Sequence, residues 1–273
     1  MCRHLAYLGI PATLRTLLID PPHGLYRQAW APRRQRYGTV NADGFGVGWY
    51  APDDPAPARY RRAVPIWGDE SFADIARVTR AGAVLAAVRS ATEGTDLGTA
   101  AVAPYTDGRW LFSHNGKVEG WPDSVAGLAA TLPASALLGL EARVDSALLW
   151  ALVRHRLELG ATAEQALAET VLALRAAGVT GRFNFLLTDG QLIAATAAGD
   201  TLWYRSGPAG AFVAVASEPG DDEHGWTEVP DSCVVAATRQ QVSVAEIAAL
   251  DGHAIQHQVM QHQDPEDGRI AIR

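Results

Sequence analysis

Phe183-Asn184-Phe185-Leu186-Leu187-Thr188, then Asp189-Gly190, then Gln191-Leu192-Ile193-Ala194-Ala195-Thr196-Ala197 is the stretch on which the fold turns. Two runs of strand length meet at an Asp-Gly pair, whose residues tolerate the positive φ of a tight hairpin. The pattern repeats downstream, where strand candidates at residues 201–206, 211–216 and 232–237 follow Gly199-Asp200 and Gly207-Pro208, so an antiparallel meander is expected. Upstream the apolar period becomes three and four. Ala163, Ala166, Leu167, Val171 and Leu174 share one face of a helix over residues 163–177, and a second helix is read at 145–159, with Gly160 at the turn between them. Further upstream lie strand candidates at 3–8, 47–50, 83–89 and 110–113, and a helical segment at 70–80 carrying Phe72, Ile75, Ala76 and Val78. Strands before and after a block of helices, without β-α alternation, predict an α+β fold with sheets packed against helices. The first strand begins so early that residue 2 is expected to be held by a sheet.

With 273 residues, 48% hydrophobic and 19% charged, the chain has the make-up of one compact domain. A formal charge of −7 lacks the basic surface that nucleic acid or an anionic membrane demands, and Arg33-Arg34-Gln35-Arg36 is too short to supply one; a small-molecule substrate is expected. No apolar run approaches the ~18 residues of a membrane span. The opening residues lack a signal-peptide pattern, so the expected compartment is the cytoplasm. Cys2 and Cys233 are the only cysteines, too few for a disulfide framework and without paired His or Cys for zinc; neither metal nor cofactor is expected. Residues 2–250 read as one domain and 251–273 as a polar tail, whose His253, His257 and His262 read as solvated.

Cys2 has a chemical property that its position supplies. With a small side chain at position 2 the initiator Met is commonly removed, which leaves thiol and free α-amine on one residue. An α-amine titrates at about 7.7–8.0 and a thiol at about 8.5, so the amine can take the thiol's proton without a histidine. A γ-glutamyl amide attacked by such a thiol needs two donors at its oxyanion, a cationic fork for its α-carboxylate and a carboxylate for its α-ammonium. Asn115-Gly116 offers the donors, though Asn-Gly is also a common hairpin turn. Arg89, at the end of a buried strand, offers the fork, or else a surface ion pair. Asp145, before the helix, offers the carboxylate, or else an N-cap.

The order of the motifs is more specific than any one of them. Met1-Cys2-Arg3-His4-Leu5, Asn41-Ala42-Asp43-Gly44-Phe45-Gly46-Val47-Gly48, Val88-Arg89-Ser90-Ala91-Thr92, Ser113-His114-Asn115-Gly116 and Val144-Asp145-Ser146 together resemble the class II glutamine amidotransferase domain. Within it the chain is most similar to the γ-glutamyl amidohydrolases of ergothioneine biosynthesis. That likeness is carried by Asp20-Pro21-Pro22-His23-Gly24-Leu25, Tyr105-Thr106-Asp107-Gly108-Arg109-Trp110, Ala216-Ser217-Glu218-Pro219 and Gly225-Trp226. The resemblance implies a four-layer α-β-β-α sandwich of N-terminal nucleophile hydrolase type with two antiparallel sheets. It implies Cys2, Asn115 and Gly116 as catalytic residues and Arg89 and Asp145 as substrate-binding ones. It also implies cleavage of γ-glutamyl-hercynylcysteine sulfoxide to glutamate and hercynylcysteine sulfoxide through a Cys2 thioester. The trimethylated nitrogen of that substrate suits an aromatic wall, for which Trp30, Trp49, Trp67 and Trp226 are candidates. Glutamine-dependent members often carry an aromatic after the arginine and a histidine three residues on. Here those positions are Ser90 and Glu93, which points away from glutamine and toward a γ-glutamyl conjugate. The competing readings are a glutaminase subunit supplying ammonia to a separate synthase, a hydrolase of another γ-glutamyl conjugate, and a non-enzymatic binding protein on this fold.

Overall fold

The computed structural model describes residues 2–92 and 94–250. Met1, Glu93 and the tail read at 251–273, with its three histidines, lie outside the described residues. Strands run through Arg3–Thr13 (β1), Phe45–Trp49 (β2), Ala58–Arg62 (β3), Arg80–Val88 (β4), Tyr105–Asp107 (β5), Trp110–Val118 (β6) and Gly181–Thr188 (β7). They continue through Ile193–Ala197 (β8), Trp203–Ser206 (β9), Phe212–Ala216 (β10), Thr227–Glu228 (β11), Cys233–Ala237 (β12) and Val242–Glu246 (β13). One sheet has the order β11-β9-β10-β1-β4-β2-β3 and the other β13-β12-β8-β7-β6-β5. Neighbours in both are antiparallel.

Alternation along the strands builds three cores between four layers. On the central strand β1, Leu5 and Tyr7 face outward, packing with Leu14, Leu18 and Phe72 from the helices Leu14–Leu18 and Glu70–Val78. Ala6 and Leu8 face inward, against Leu111 and Leu186 of the second sheet. On the far side of that sheet, Phe112, Phe185 and Leu187 bury against Leu149, Val153, Leu167 and Val171 of the helices Asp145–Glu158 and Ala163–Ala176. The α+β reading and the four-layer sandwich are both borne out. The second of these helices starts where Thr162 and Gln165 form a reciprocal capping box, which satisfies two amide donors that a helix start leaves open. Among the described residues no helix is long and apolar enough to cross a membrane.

Three local expectations are corrected. The run of strands after residue 180 is not one meander: β7, β8 and β12 belong to one sheet, β9 and β10 to the other. Period-two alternation shows that a segment is a half-buried strand but not which of two facing sheets it joins. The strand read at 110–113 continues to Val118, so Asn115 and Gly116 lie within β6, opposite Asn184 and Phe183, and form no hairpin turn. The first strand also runs past Gly9 and Pro11. Its register against β4 shifts between Leu8 and Ala12, so the missing Pro11 amide falls where the ladder is already interrupted.

Candidate active site

Cys2 sits one residue before β1, half-buried, and the expectation that a sheet holds it is met. Arg3 pairs with Val88, while the His4 amide donates to Ser217 Oγ at 3.0 Å and the Ser217 amide to the His4 carbonyl at 3.0 Å. Behind Cys2, Arg3 is fully buried with Nε 4.0 Å from Glu218. The Glu218 carboxylate in turn accepts the backbone amides of Arg33 and Arg34 at 2.9 and 2.7 Å. Ser217-Glu218 therefore ties the start of the chain to β10 and to the loop around Arg33.

Cys2, Arg89, Tyr105, Ser113, His114 and Ser146 line one small cavity of about 20 Å³. Larger cavities exist, one of about 810 Å³ beside Tyr50 and Arg239, which no cysteine lines. Arg89 follows β4 and is only 8% exposed. Its Nη2 donates to Thr95 Oγ1 at 3.3 Å and to the Asp96 carbonyl at 2.8 Å, while Nη1 is buried without a partner. It has no ion pair to a carboxylate among the described residues, which corrects the surface salt-bridge reading. A buried guanidinium with an open N–H next to a thiol is a ready anion site. The Asn41–Gly48 motif fixes its backbone: the Asp43 amide donates to the Arg89 carbonyl, the Arg89 amide to the Gly44 carbonyl, and the Ala91 amide to Asp43 Oδ2 at 2.7 Å. The glycines of that motif admit the opposite wall, since a Cβ on Gly46 would collide with the Ala103 carbonyl.

Asn115 is fully buried, its Nδ2 donating to Ser217 Oγ at 3.3 Å, so one side chain of β10's end meets both β1 and β6. Gly116 must be glycine, because a Cβ would run into the Arg182 carbonyl of β7. Asp145 is the first residue of its helix and not the N-cap, which is Val144. Its Oδ1 accepts the Ser146 amide at 2.7 Å and its Oδ2 the Val118 amide at 3.0 Å, coupling the helix start to the end of β6. Oδ1 also lies 3.3 Å from Ser146 Oγ, while Oδ2 keeps a further lone pair.

The two nearby histidines are held neutral. Burial, reinforced by His114 and by the Arg3 cation, pushes His4 down to about 3. Burial also lowers His114, against the opposing pull of Asp145. His114 Nε2 donates to the Arg182 carbonyl at 2.8 Å, which leaves Nδ1 to accept from Ser146 Oγ at 3.0 Å. His4 Nδ1 lies 3.2 Å from Ser113 Oγ. Both rings are structural links, and neither is poised as a base at neutral pH.

The sequence pattern of the class-II glutamine amidotransferases matches residues 25–216. This chain belongs to that family. It is 41% identical over 253 residues to the gamma-glutamyl-hercynylcysteine sulfoxide hydrolase of Mycobacterium tuberculosis, covering 92% of this chain and 99% of that protein. The protein of the same name from Mycolicibacterium smegmatis is 41% identical over 247 residues, covering 90% of this chain and 100% of its own. Among solved structures, a glutamine aminotransferase class-II domain protein from Silicibacter pomeroyi superposes with a TM-score of 0.66 at 24% identity, over 90% of this chain and 99% of the other; it shares the fold.

Within this class II amidotransferase domain, Cys2 and Arg89 line one cavity, Asn115 and Gly116 lie next in line along β6, and Asp145 packs under the end of that strand. The four tryptophans proposed for an aromatic wall are elsewhere: Trp30 stacks edge-on to Trp67, while Trp49 and Trp226 pack on the outer core of the first sheet. Linear reading placed Ser113, Ser146 and Ser217 within motifs but gave them no part in the site. A serine that joins residues 4 and 115 from position 217 leaves no local signal.

Proposed function

We propose that this chain is a cytoplasmic γ-glutamyl amide hydrolase acting on γ-glutamyl-hercynylcysteine sulfoxide, with Cys2, freed by removal of Met1, as its nucleophile. The observation that carries the substrate is the likeness of 41% over nearly the full length of two hydrolases of that name. The cavity supports the chemistry. The Cys2 α-amine takes the thiol proton, and the sulfur attacks the γ-carbonyl carbon. A second hydrogen of Asn115 Nδ2 and the Gly116 amide hold the resulting oxyanion. As the C–N bond breaks, the ammonium returns its proton to the departing nitrogen, which leaves as the free amine. Water, giving a proton to the same α-amine, attacks the thioester; collapse expels the sulfur, which recovers that proton, and glutamate is released. Arg89 Nη1 holds the α-carboxylate of the glutamyl group and Asp145 its α-ammonium. With His4 and His114 held neutral and bonded into the frame, the α-amine is the base that remains.

Treatment with an electrophilic glutamine analogue followed by peptide mass spectrometry is expected to label Cys2 and spare Cys233, whose thiol burial pushes upward. Labelling at Cys233 alone, or unchanged release of hercynylcysteine sulfoxide by Cys2→Ala, would remove the reading.

A further inference from the structure

Beside the Cys2 cavity a second, wider cleft of about 410 Å³ is lined by Tyr37, Ala91, Thr92, Gly116, Lys117 and Arg182, together with Gly38 and Glu119. The two openings share the same two chain segments, the one after Arg89 and the one from Ser113 to Lys117. An amidotransferase that releases only ammonia needs no such room, whereas this volume is of the size that takes a small ligand.

The sides of β6 separate the two ends of a substrate. Val118 packs on the helix layer, and its amide donates to Asp145, so the anchor for a glutamyl ammonium lies on that side. Lys117, one residue away, belongs to the opposite face together with Asn115 and Ser113. Opposite it on β7 stands Arg182, with its guanidinium 4.6 Å from the Tyr37 ring centre. Arg182 Nε is 3.3 Å from the buried Asp200 carboxylate, and its terminal nitrogens make no hydrogen bond among the described residues. Lys117 Nζ donates to Glu119 at 2.8 Å in a half-exposed pair, which holds the lysine weakly and leaves two of its donors open. A γ-glutamyl group has one carboxylate, and Arg89 answers it. Lys117 and Arg182 are a second cationic pair, on the face of β6 opposite the Asp145 anchor.

We infer that this cleft is the leaving-group subsite, in which Lys117 and Arg182 take a carboxylate borne by the departing amine, so that the enzyme selects γ-glutamyl amides of α-amino acids over γ-glutamyl alkylamides and glutamine. The inference rests on the γ-glutamyl hydrolase reading above and adds a specificity-determining pair to it. The Arg182 guanidinium lies against the Tyr37 ring and its Nε end is ion-paired with Asp200, which leaves the terminal nitrogens to meet a carboxylate.

The test uses the full-length protein and two probes that differ by one carboxylate: γ-glutamyl-S-methylcysteine and γ-glutamyl-S-methylcysteamine. Wild type is expected to prefer the first by about ten- to hundredfold in kcat/KM, the worth of a charge-assisted contact. Lys117→Met, a change at a half-exposed side chain that the fold tolerates, is expected to erase most of that ratio through KM of the carboxylate-bearing probe. Lys117→Arg is expected to restore it. Equal hydrolysis of both probes by wild type, or an unchanged ratio in Lys117→Met, overturns the subsite. Hydrolysis of neither probe, nor of γ-glutamyl-hercynylcysteine sulfoxide, overturns the activity reading itself and the subsite with it.

Discussion

The inward faces of three strands change character from one end of the sandwich to the other. On β1, Leu8 and Ala6 are followed toward the chain start by His4 and Cys2; on β6, Leu111 gives way to Ser113, Asn115 and Lys117; on β4, Ala83 and Leu85 lead through Ala87 to Arg89. The dry end is closed by apolar contacts with Leu186, Ile193 and Val235. The polar end is closed by hydrogen bonds that run through Ser113, Ser146 and Ser217. The same ladders thus make a core at one end and a polar cluster around Cys2 at the other. A buried polar group is retained only where hydrogen bonds or a ligand compensate it. Arg89 Nη1 and Asn115 Oδ1 are buried there without a hydrogen-bond partner, as are His4 Nε2 and the three guanidinium nitrogens of Arg3.

That contrast can be broken most severely at Cys2. Replacing it by Ala, which keeps Met1 removable, is expected to lower glutamate release by about a millionfold while thermal melting stays near wild type, because the thiol makes no contact on which the fold depends. Asn115→Ala comes next, with a fall in kcat on the order of 10² to 10³ measured by the same release assay, and a stability loss of about 1 kcal/mol from the lost bond to Ser217. The opposite end gives the converse result. Leu186→Ala, at a fully buried position, is expected to lower unfolding free energy by about 2–5 kcal/mol in urea titration and to leave kcat of the folded protein within about twofold.

The smallest effect separates the two ends by acid. His4 titrates at about 3 when folded, below its ordinary 6.5 in the unfolded chain. The unfolded state therefore binds more protons below pH 6.5, and stability is full above that value and falls as the pH drops toward 3. Between pH 7 and pH 5 His4 is expected to remove about 2 kcal/mol, and His114, lowered in the same sense, adds to it. Urea midpoints at the two pH values measure this; a smaller difference in His4→Asn sharpens the assignment, and an unchanged one sinks it.

Much of this was legible in the chain itself. Alternation and Asp-Gly punctuation gave β7 and β8 nearly to their ends, and three- and four-residue apolar spacing gave the helices Asp145–Glu158 and Ala163–Ala176 to within a residue. The motif order gave the family. Asn115-Gly116 shows where local rules stop. As a dipeptide it favours a turn, yet it lies inside a strand because β7 covers it and Gly116 clears the Arg182 carbonyl. Asp145 likewise has the composition of an N-cap and a different task, set by the Val118 amide.

The sequence by itself determined which segments bury a face and which residue types stand at Cys2, Arg89, Asn115, Gly116 and Asp145, because periodicity and side-chain chemistry are local properties. Only the tertiary structure decided which sheet β9 and β10 join, which inward positions are dry and which polar, and that Ser217 brings residues 4 and 115 together. It also decided that Lys117 and Arg182 form a cleft of their own. Those outcomes depend on contacts between residues tens to hundreds of positions apart, for which no local pattern of spacing exists.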